Sequence, residues 1–330
     1  MAFNIGNHYI DGRTVLAPMA GISDLPFRRL CKAYGAALAV SEMVTSDTKL
    51  WNSRKSASRL NHNGETGVKS VQIAGTCPIA LAEAAVANEQ LGADIIDINM
   101  GCPAKKVCNK AAGSALLRDE PLVEKILTAV VGSVKIPVTL KIRTGWDKTQ
   151  RNALTIAQMA ESIGVQALTI HGRTRACRFN GEAEYDTIAE VCQAVSIPVI
   201  ANGDITNAVK AKEVLDHTGA AAIMIGRAAQ GRPWIFREID HYLKTGNAVS
   251  EPSSDEIKTI LISHLKELHS FYGDYLGVRI ARKHAGWYLK GFTNGENLRT
   301  TFNQLVSAQK QIECIEENFS ALIRDGEKAA

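Results

Sequence analysis

No C-x-x-C pair occurs in the sequence, and the seven cysteines (Cys31, Cys77, Cys102, Cys108, Cys177, Cys192 and Cys314) are scattered and odd in number. That pattern suggests neither a disulfide framework nor a zinc site, so no metal is expected. No stretch approaches about 18 uninterrupted apolar residues, the least that reads as a membrane span. Met1-Ala2-Phe3-Asn4-Ile5-Gly6 lacks the charged segment and apolar run of a secretory leader. The expectation is a soluble, cytoplasmic chain, taken as a monomer. No G-x-G-x-x-G follows the first apolar run, which counts against an open dinucleotide-binding sheet. Strong charge is missing too: a net +4 permits a nucleic-acid partner without arguing for one.

What is present is a long alternation. Short apolar runs at 15–17, 37–41, 70–74, 95–99, 137–142, 167–171, 198–202 and 221–225 each end at a polar or glycine-containing turn. Ala-rich amphipathic stretches of helical length lie between them, at 79–91, 122–134, 153–163, 188–195 and 209–216. Buried parallel strands read as near-continuous apolar runs, and eight in series predict a closed (β/α)8 TIM barrel of α/β class. Residues 47–67 read as a polar loop with a short helix. Beyond residue 245 the strand pattern stops. Pro252-Ser253-Ser254-Asp255-Glu256 resembles a helix start, and helical periodicity then runs to about residue 324, broken near 273–277 and 291–295. The division expected is a catalytic barrel over 1–245 and a small all-helical domain over 246–330. Residues 277–310 carry Arg279, Arg282, Lys283, Lys290, Arg299 and Lys310 against Glu296. Such a stripe is either a solvated helix face or a surface for a phosphate backbone.

The chemistry-bearing side chains fall at strand ends, where barrels place their sites. Asp97-Ile98-Asn99-Met100-Gly101-Cys102-Pro103 runs from a strand into a turn that presents a cysteine. Read alone, Cys102 is either a small buried thiol or a reactive one. Ala17-Pro18-Met19-Ala20-Gly21 closes the first strand without bulk, so a flat ligand can approach its backbone. The third strand ends near Gln72, and the fifth delivers Lys141 and Arg143. The sixth ends in His171-Gly172-Arg173-Thr174-Arg175. Asn202-Gly203-Asp204 and Gly226-Arg227, after strands seven and eight, suit a phosphate, through free amides and the Arg227 cation. Asp204 could equally be an ordinary helix cap. An unpaired buried lysine is costly, so Lys141 either faces an anionic ring or pairs with Asp97 or Glu42. His171 is a general acid, a donor to a ring or a structural histidine.

Taken in order, Ala17–Gly21, Ser41-Glu42-Met43, Asn99–Pro103, Lys141-Ile142-Arg143-Thr144-Gly145-Trp146, His171–Arg175 and Asn202-Gly203-Asp204-Ile205 resemble the motif series of the tRNA-dihydrouridine synthases. Ala281-Arg282-Lys283-His284-Ala285-Gly286-Trp287-Tyr288-Leu289-Lys290 resembles their bacterial B-type branch. The resemblance implies a barrel that binds FMN, is reduced by NADPH, and reduces a D-loop uridine of tRNA, with the seventeenth nucleotide implied by the branch. It implies flavin contacts at Pro18, Met19, Ala20, Gln72, Lys141, Asn202, Gly203, Asp204, Gly226 and Arg227, with His171 against the ring and Cys102 as the proton donor. Hydride delivery to C6 of uracil leaves C5 to be protonated, and a thiol with an ordinary pKa of about 8.5 still carries its proton at neutral pH. Cys102 should therefore not be a strongly activated thiolate. Asn99, Arg143, Arg173, Arg175 and Arg178 near the mouth, with Arg282 and Lys283 on the basic tail, are the expected substrate contacts. The other cysteines are left as packing.

Two other readings share parts of this pattern. A flavin barrel acting on a small pyrimidine, of the dihydroorotate dehydrogenase type, has the same phosphate site but no need of a basic helical domain. A tRNA-folding chaperone has no need of Cys102 or Lys141.

Overall fold

The computed structural model describes residues 2–109 and 111–324. The chain opens with an antiparallel hairpin, β1 (Ala2–Ile5) and β2 (His8–Asp11), which the sequence reading did not anticipate. Phe3, Ile5 and Ile10 point inward against Val15, Ile95, Ala167, Ile200 and Ala222. Those are the first or second residues of barrel strands, so the hairpin plugs the end of the barrel opposite the strand carboxyl termini.

The strands that follow are β3 (Thr14–Leu16), β4 (Leu38–Ala39), β5 (Val44–Thr45), β6 (Ser70–Ala74), β7 (Ile95–Met100), β8 (Val138–Arg143), β9 (Ala167–His171), β10 (Val199–Asn202) and β11 (Ala222–Ile225). All neighbours pair in parallel, in the order β4-β3-β11-β10-β9-β8-β7-β6-β5. A parallel bridge from Val40 to Ser70, with Ser41 N–H donating to the Ser70 carbonyl at 3.0 Å, closes the ring. The expected second strand at 37–41 is thus interrupted: β4 and β5 form one stave, broken where Ser41 and Glu42 turn their polar groups inward. Every residue of β7 and β9 is buried, as strands covered on both faces require.

Helices α1 (Leu25–Ala33), α2 (Arg54–Leu60), α3 (Pro78–Gln90), α4 (Lys105–Cys108), α5 (Glu120–Val131), α6 (Ala153–Ile163), α7 (Asp186–Ala194), α8 (Ala208–Thr218) and α9 (Ile235–Thr245) cover the outside. Caps set their starts: Asp24 accepts from Phe27 N–H at 3.0 Å, and Ser53 from Ser56 N–H at 3.3 Å. The main core lies between these helices and the barrel.

α10 (Ser254–Leu289) begins with a capping box. Glu256 N–H donates to Ser253 Oγ, while the Glu256 carboxylate accepts from Ser253 N–H at 2.7 Å. It bends at Gly273, whose φ of 72° no helix interior allows. β12 (Phe292–Thr293), α11 (Gly295–Gln304), α12 (Ala308–Asn318) and β13 (Ile323–Arg324) complete the described chain. Their core joins Leu261, Ala281, Ala285, Phe302, Ile315 and Phe319 with Trp234, and packs on Leu30 of α1 and on Tyr34 just after it. No helix among the described residues is long and apolar enough to cross a membrane.

Candidate active site

A cavity of about 410 Å³ opens at the carboxyl ends of the barrel strands. Every residue expected to touch a cofactor, from Pro18 through Arg227, lines it, together with Asn99, Cys102 and Arg143. Strand register does the gathering. Asn99 lies beside Lys141, Arg143 beside His171, and His171 beside Asn202 on consecutive strands.

The cysteine turn is held from beneath by a hydrogen-bonded chain. Asn99 Oδ1 accepts from the N–H of Cys102 at 3.1 Å and of Gly101 at 3.3 Å. Asn99 Nδ2 donates to Gln72 Oε1 at 2.7 Å, Gln72 Nε2 donates to Asp97 at 2.7 Å, and Thr139 Oγ1 donates to the other Asp97 oxygen at 2.7 Å. Cys102 is half-buried, and burial pushes its thiol pKa above the ordinary value, against an opposing hydrogen bond from the Ala104 backbone. The thiol therefore holds its proton at neutral pH, as an acid must and a nucleophile must not.

Lys141 does not hydrogen-bond to either expected carboxylate. Its Nζ donates to Asn202 Oδ1 at 3.0 Å, and Asn202 Nδ2 donates to the Met224 carbonyl at 2.7 Å. Burial lowers the Lys141 pKa and raises that of Asp97, while each charge favours the other. Glu42 is engaged elsewhere, by Arg59 at 3.3 Å and by the N–H of Gly21. His171 is kept neutral by burial and by the Arg143, Lys141 and Arg173 cations, and its buried Nδ1 has no partner among the described residues.

At the far end of the cavity Asp204 takes φ of 48° and does not cap α8; Asn207 does, accepting from Lys210 N–H at 2.8 Å. Burial would raise the Asp204 pKa, but Arg173 and the Ala183 N–H hold it below the usual range. Gly203 has φ of 126°, and a Cβ there would stand 2.7 Å from that of Ala183, so no side chain fits. A Cβ at Gly226 would meet Met19 and Ala17. The bare backbone at Gly203 and Gly226, the exposed Arg227 and the apolar wall of Ala17, Met19 and Ile22 fit a mononucleotide with an extended ring, and the orphaned His171 nitrogen and Lys141 fit its polar edge.

Residues 15–324 match the dihydrouridine synthase family. The tRNA-dihydrouridine synthase B of Pseudomonas aeruginosa is 59% identical over 322 residues, covering 98% of this chain and 97% of its own. That of Vibrio vulnificus is 56% identical over 315 residues, 96% of this chain and 98% of its own. The chain belongs to the dihydrouridine synthase family. Among solved structures, a variant of NCR from Zymomonas mobilis aligns at a TM-score of 0.53 over 76% of this chain and 92% of that one, at 16% identity. Histamine dehydrogenase from Rhizobium sp. 4-9 aligns at 0.53 over 80% and 50%, at 11% identity. Likeness at that identity concerns the barrel fold alone.

Within this member of the family, several expected substrate contacts have their polar groups engaged by the protein itself. Arg143 is buried and donates to the carbonyls of Gly101 at 2.9 Å, Thr174 at 2.9 Å and Arg178 at 2.8 Å. Arg173 is buried against Asp204, with Nη1 to Oδ1 at 2.9 Å. Arg175 lies over Trp146, 4.5 Å from the ring centroid, and only Arg178 of this group is exposed. Arg282 donates to the Leu305 carbonyl at 3.2 Å, and Lys283 donates to the Gly21 carbonyl in the loop that walls the cavity. The sequence reading missed Met43, Phe179 and Gln230, which also line the site. Phe179 had a signal, as a lone aromatic in the polar loop after His171. Cys77, read as packing, is exposed.

Proposed function

We propose that this chain reduces a D-loop uridine of tRNA to 5,6-dihydrouridine, with FMN as resident cofactor, NADPH as reductant and Cys102 as the proton donor to C5. The observation that carries the reading is the half-buried Cys102 thiol, which shares a cavity of mononucleotide size with Lys141 and His171. A bound flavin supplies hydride chemistry suited to C6 of the uracil ring. The chain's own residues do the rest. Pro18, Met19 and Ala20 form the close apolar wall, Gln72, Lys141 and His171 bind the ring edge, and Asn202, Gly203, Asp204, Gly226 and Arg227 form the phosphate end. Asn99 and Gln72 hold the Cys102 backbone, so the thiol is presented at one place above the cavity floor. The target base is stacked in a folded RNA and must be extruded to enter. We assign the helical region from residue 246 to holding that RNA, and the barrel before it to the chemistry. The surface at Arg178, Arg282 and Lys290 supplies cations for the backbone.

Nucleoside mass spectrometry of unmodified tRNA incubated with the flavin-loaded protein and NADPH tests this. The expected result is one D-loop uridine heavier by two hydrogens. Turnover of NADPH with no mass gain in tRNA would move the assignment to a small pyrimidine.

A further inference from the structure

Phe179 is 53% exposed, yet its position at the cavity mouth is fixed from both sides. The residue before it, Arg178, takes φ of 51°, a conformation that non-glycine residues adopt at some cost. Its carbonyl accepts from the buried Arg143 at 2.8 Å. After it, the carbonyls of Asn180 and Gly181 accept from the buried Arg173, the first at 3.3 Å. Arg143 also donates to Gly101, beside Cys102, so one cation locates both the thiol turn and the Phe179 loop. The ring meets the edge of His171, with centroids 6.3 Å apart at 75°. The Arg143 and Arg227 guanidinium carbons lie 5.4 and 5.0 Å from its centroid.

A lone exposed aromatic on a surface needs no explanation. Here the exposed ring lines the same cavity as the proposed proton donor, and two buried arginines and a strained backbone hold its loop. Those features point to a flat partner that arrives from outside. We propose that Phe179 is the platform on which the extruded base of the substrate RNA stacks, a positioning residue for the tRNA reaction. The inference rests on the function proposed above. A base leaving its RNA stack loses π-contact, and an aromatic face at the mouth restores it, whichever base is presented.

The experiment compares flavin-loaded wild type with Phe179→Ala, Phe179→Leu and Phe179→Trp, following single-turnover reoxidation of the reduced enzyme by unmodified tRNA. Phe179→Ala should lower kcat/KM for tRNA about 10-fold to 100-fold, as loss of one base–aromatic stack predicts. Flavin content, melting temperature and reoxidation by dioxygen should stay at wild-type levels. Phe179→Trp should restore the rate to within about threefold, whereas Phe179→Leu, apolar but without a π-face, should not. Unchanged tRNA kinetics in Phe179→Ala, or rescue by Leu equal to that by Trp, overturns stacking. A loss of flavin that parallels the loss of rate assigns the ring to the cofactor and overturns it too. A wild-type enzyme inert on tRNA overturns the function proposed above and this inference with it.

Discussion

A thiol that acts as an acid needs its proton at the working pH, and partial burial above an apolar wall gives Cys102 that property without a dedicated base. Cys102→Ala is therefore expected to keep bound flavin and NADPH oxidation by dioxygen while losing most tRNA reduction. Dihydrouridine counted by mass spectrometry at matched flavin content checks it, and a normal rate would remove Cys102 from the reaction. Residue type alone placed this thiol at the end of a strand, but it did not show how the neighbouring side chains are engaged. Arginines at a strand end read as contacts for RNA phosphates, yet Arg143 and Arg173 are buried and bind backbone carbonyls and Asp204. Asn99 likewise has its amide occupied on both ends. A sequence shows that a guanidinium is near the site; which acceptor reaches it first depends on loops that fold back over it.

At the level of elements, α10 presents His264 and His284 to Phe27 of α1, both rings fully enclosed. His264 and His284 lie 4.7 Å apart, and Phe27 is 5.6 Å from His264. Burial holds the His264 pKa down to about 3 and that of His284 well below its ordinary value, with the Lys283 charge adding to both. Tyr288 OH lies 3.4 Å from His264 Nδ1, and neither His284 nitrogen has a partner among the described residues. Because the folded state binds these protons more weakly than the unfolded chain, stability is full above about pH 6.5 and falls as pH drops below it. At pH 5.5 each histidine should cost about 1.4 kcal/mol relative to the plateau. Urea unfolding of wild type and His284→Phe at pH 7.5 and 5.5 measures this. The variant should lose less stability on acidification, and equal losses would place the sensitivity elsewhere. The sequence marked α10 through its capping box and its glycine break. Nothing in it revealed that two histidines one helix length apart would share an apolar seam with α1.

Across the whole molecule, the helical region does more than extend a surface. Lys283 reaches the Gly21 carbonyl and Tyr272 OH donates to Asp24 at 3.0 Å, so α10 braces the loop that walls the cavity. Lys283 also lines, with Arg282, Trp287, Lys290, Glu296 and Arg299, a groove of about 680 Å³ between α10 and α11. One helix thus braces the cavity loop and lines a groove whose cations outnumber its one carboxylate, Glu296. Replacing Lys290 and Arg299 together with Ala should weaken tRNA binding and reduce the slope of log affinity against log salt by about 1 to 2. Binding isotherms at several salt concentrations check it. The flavin spectrum should stay unchanged, because neither side chain lines the cavity.

Periodicity alone determined the barrel. Strands buried on both faces must be apolar throughout, and eight of them separated by helices leave little else to build. The strand-end motifs identified Cys102, Lys141 and the Asn202–Asp204 turn for the same reason, since a polar residue at the end of a buried strand needs a purpose. Tertiary structure alone decided which polar groups remain free. The hairpin that plugs the barrel floor, the split second stave, the arginines bound to carbonyls and the exposed ring of Phe179 all depend on contacts between residues distant in sequence. No local pattern records such contacts.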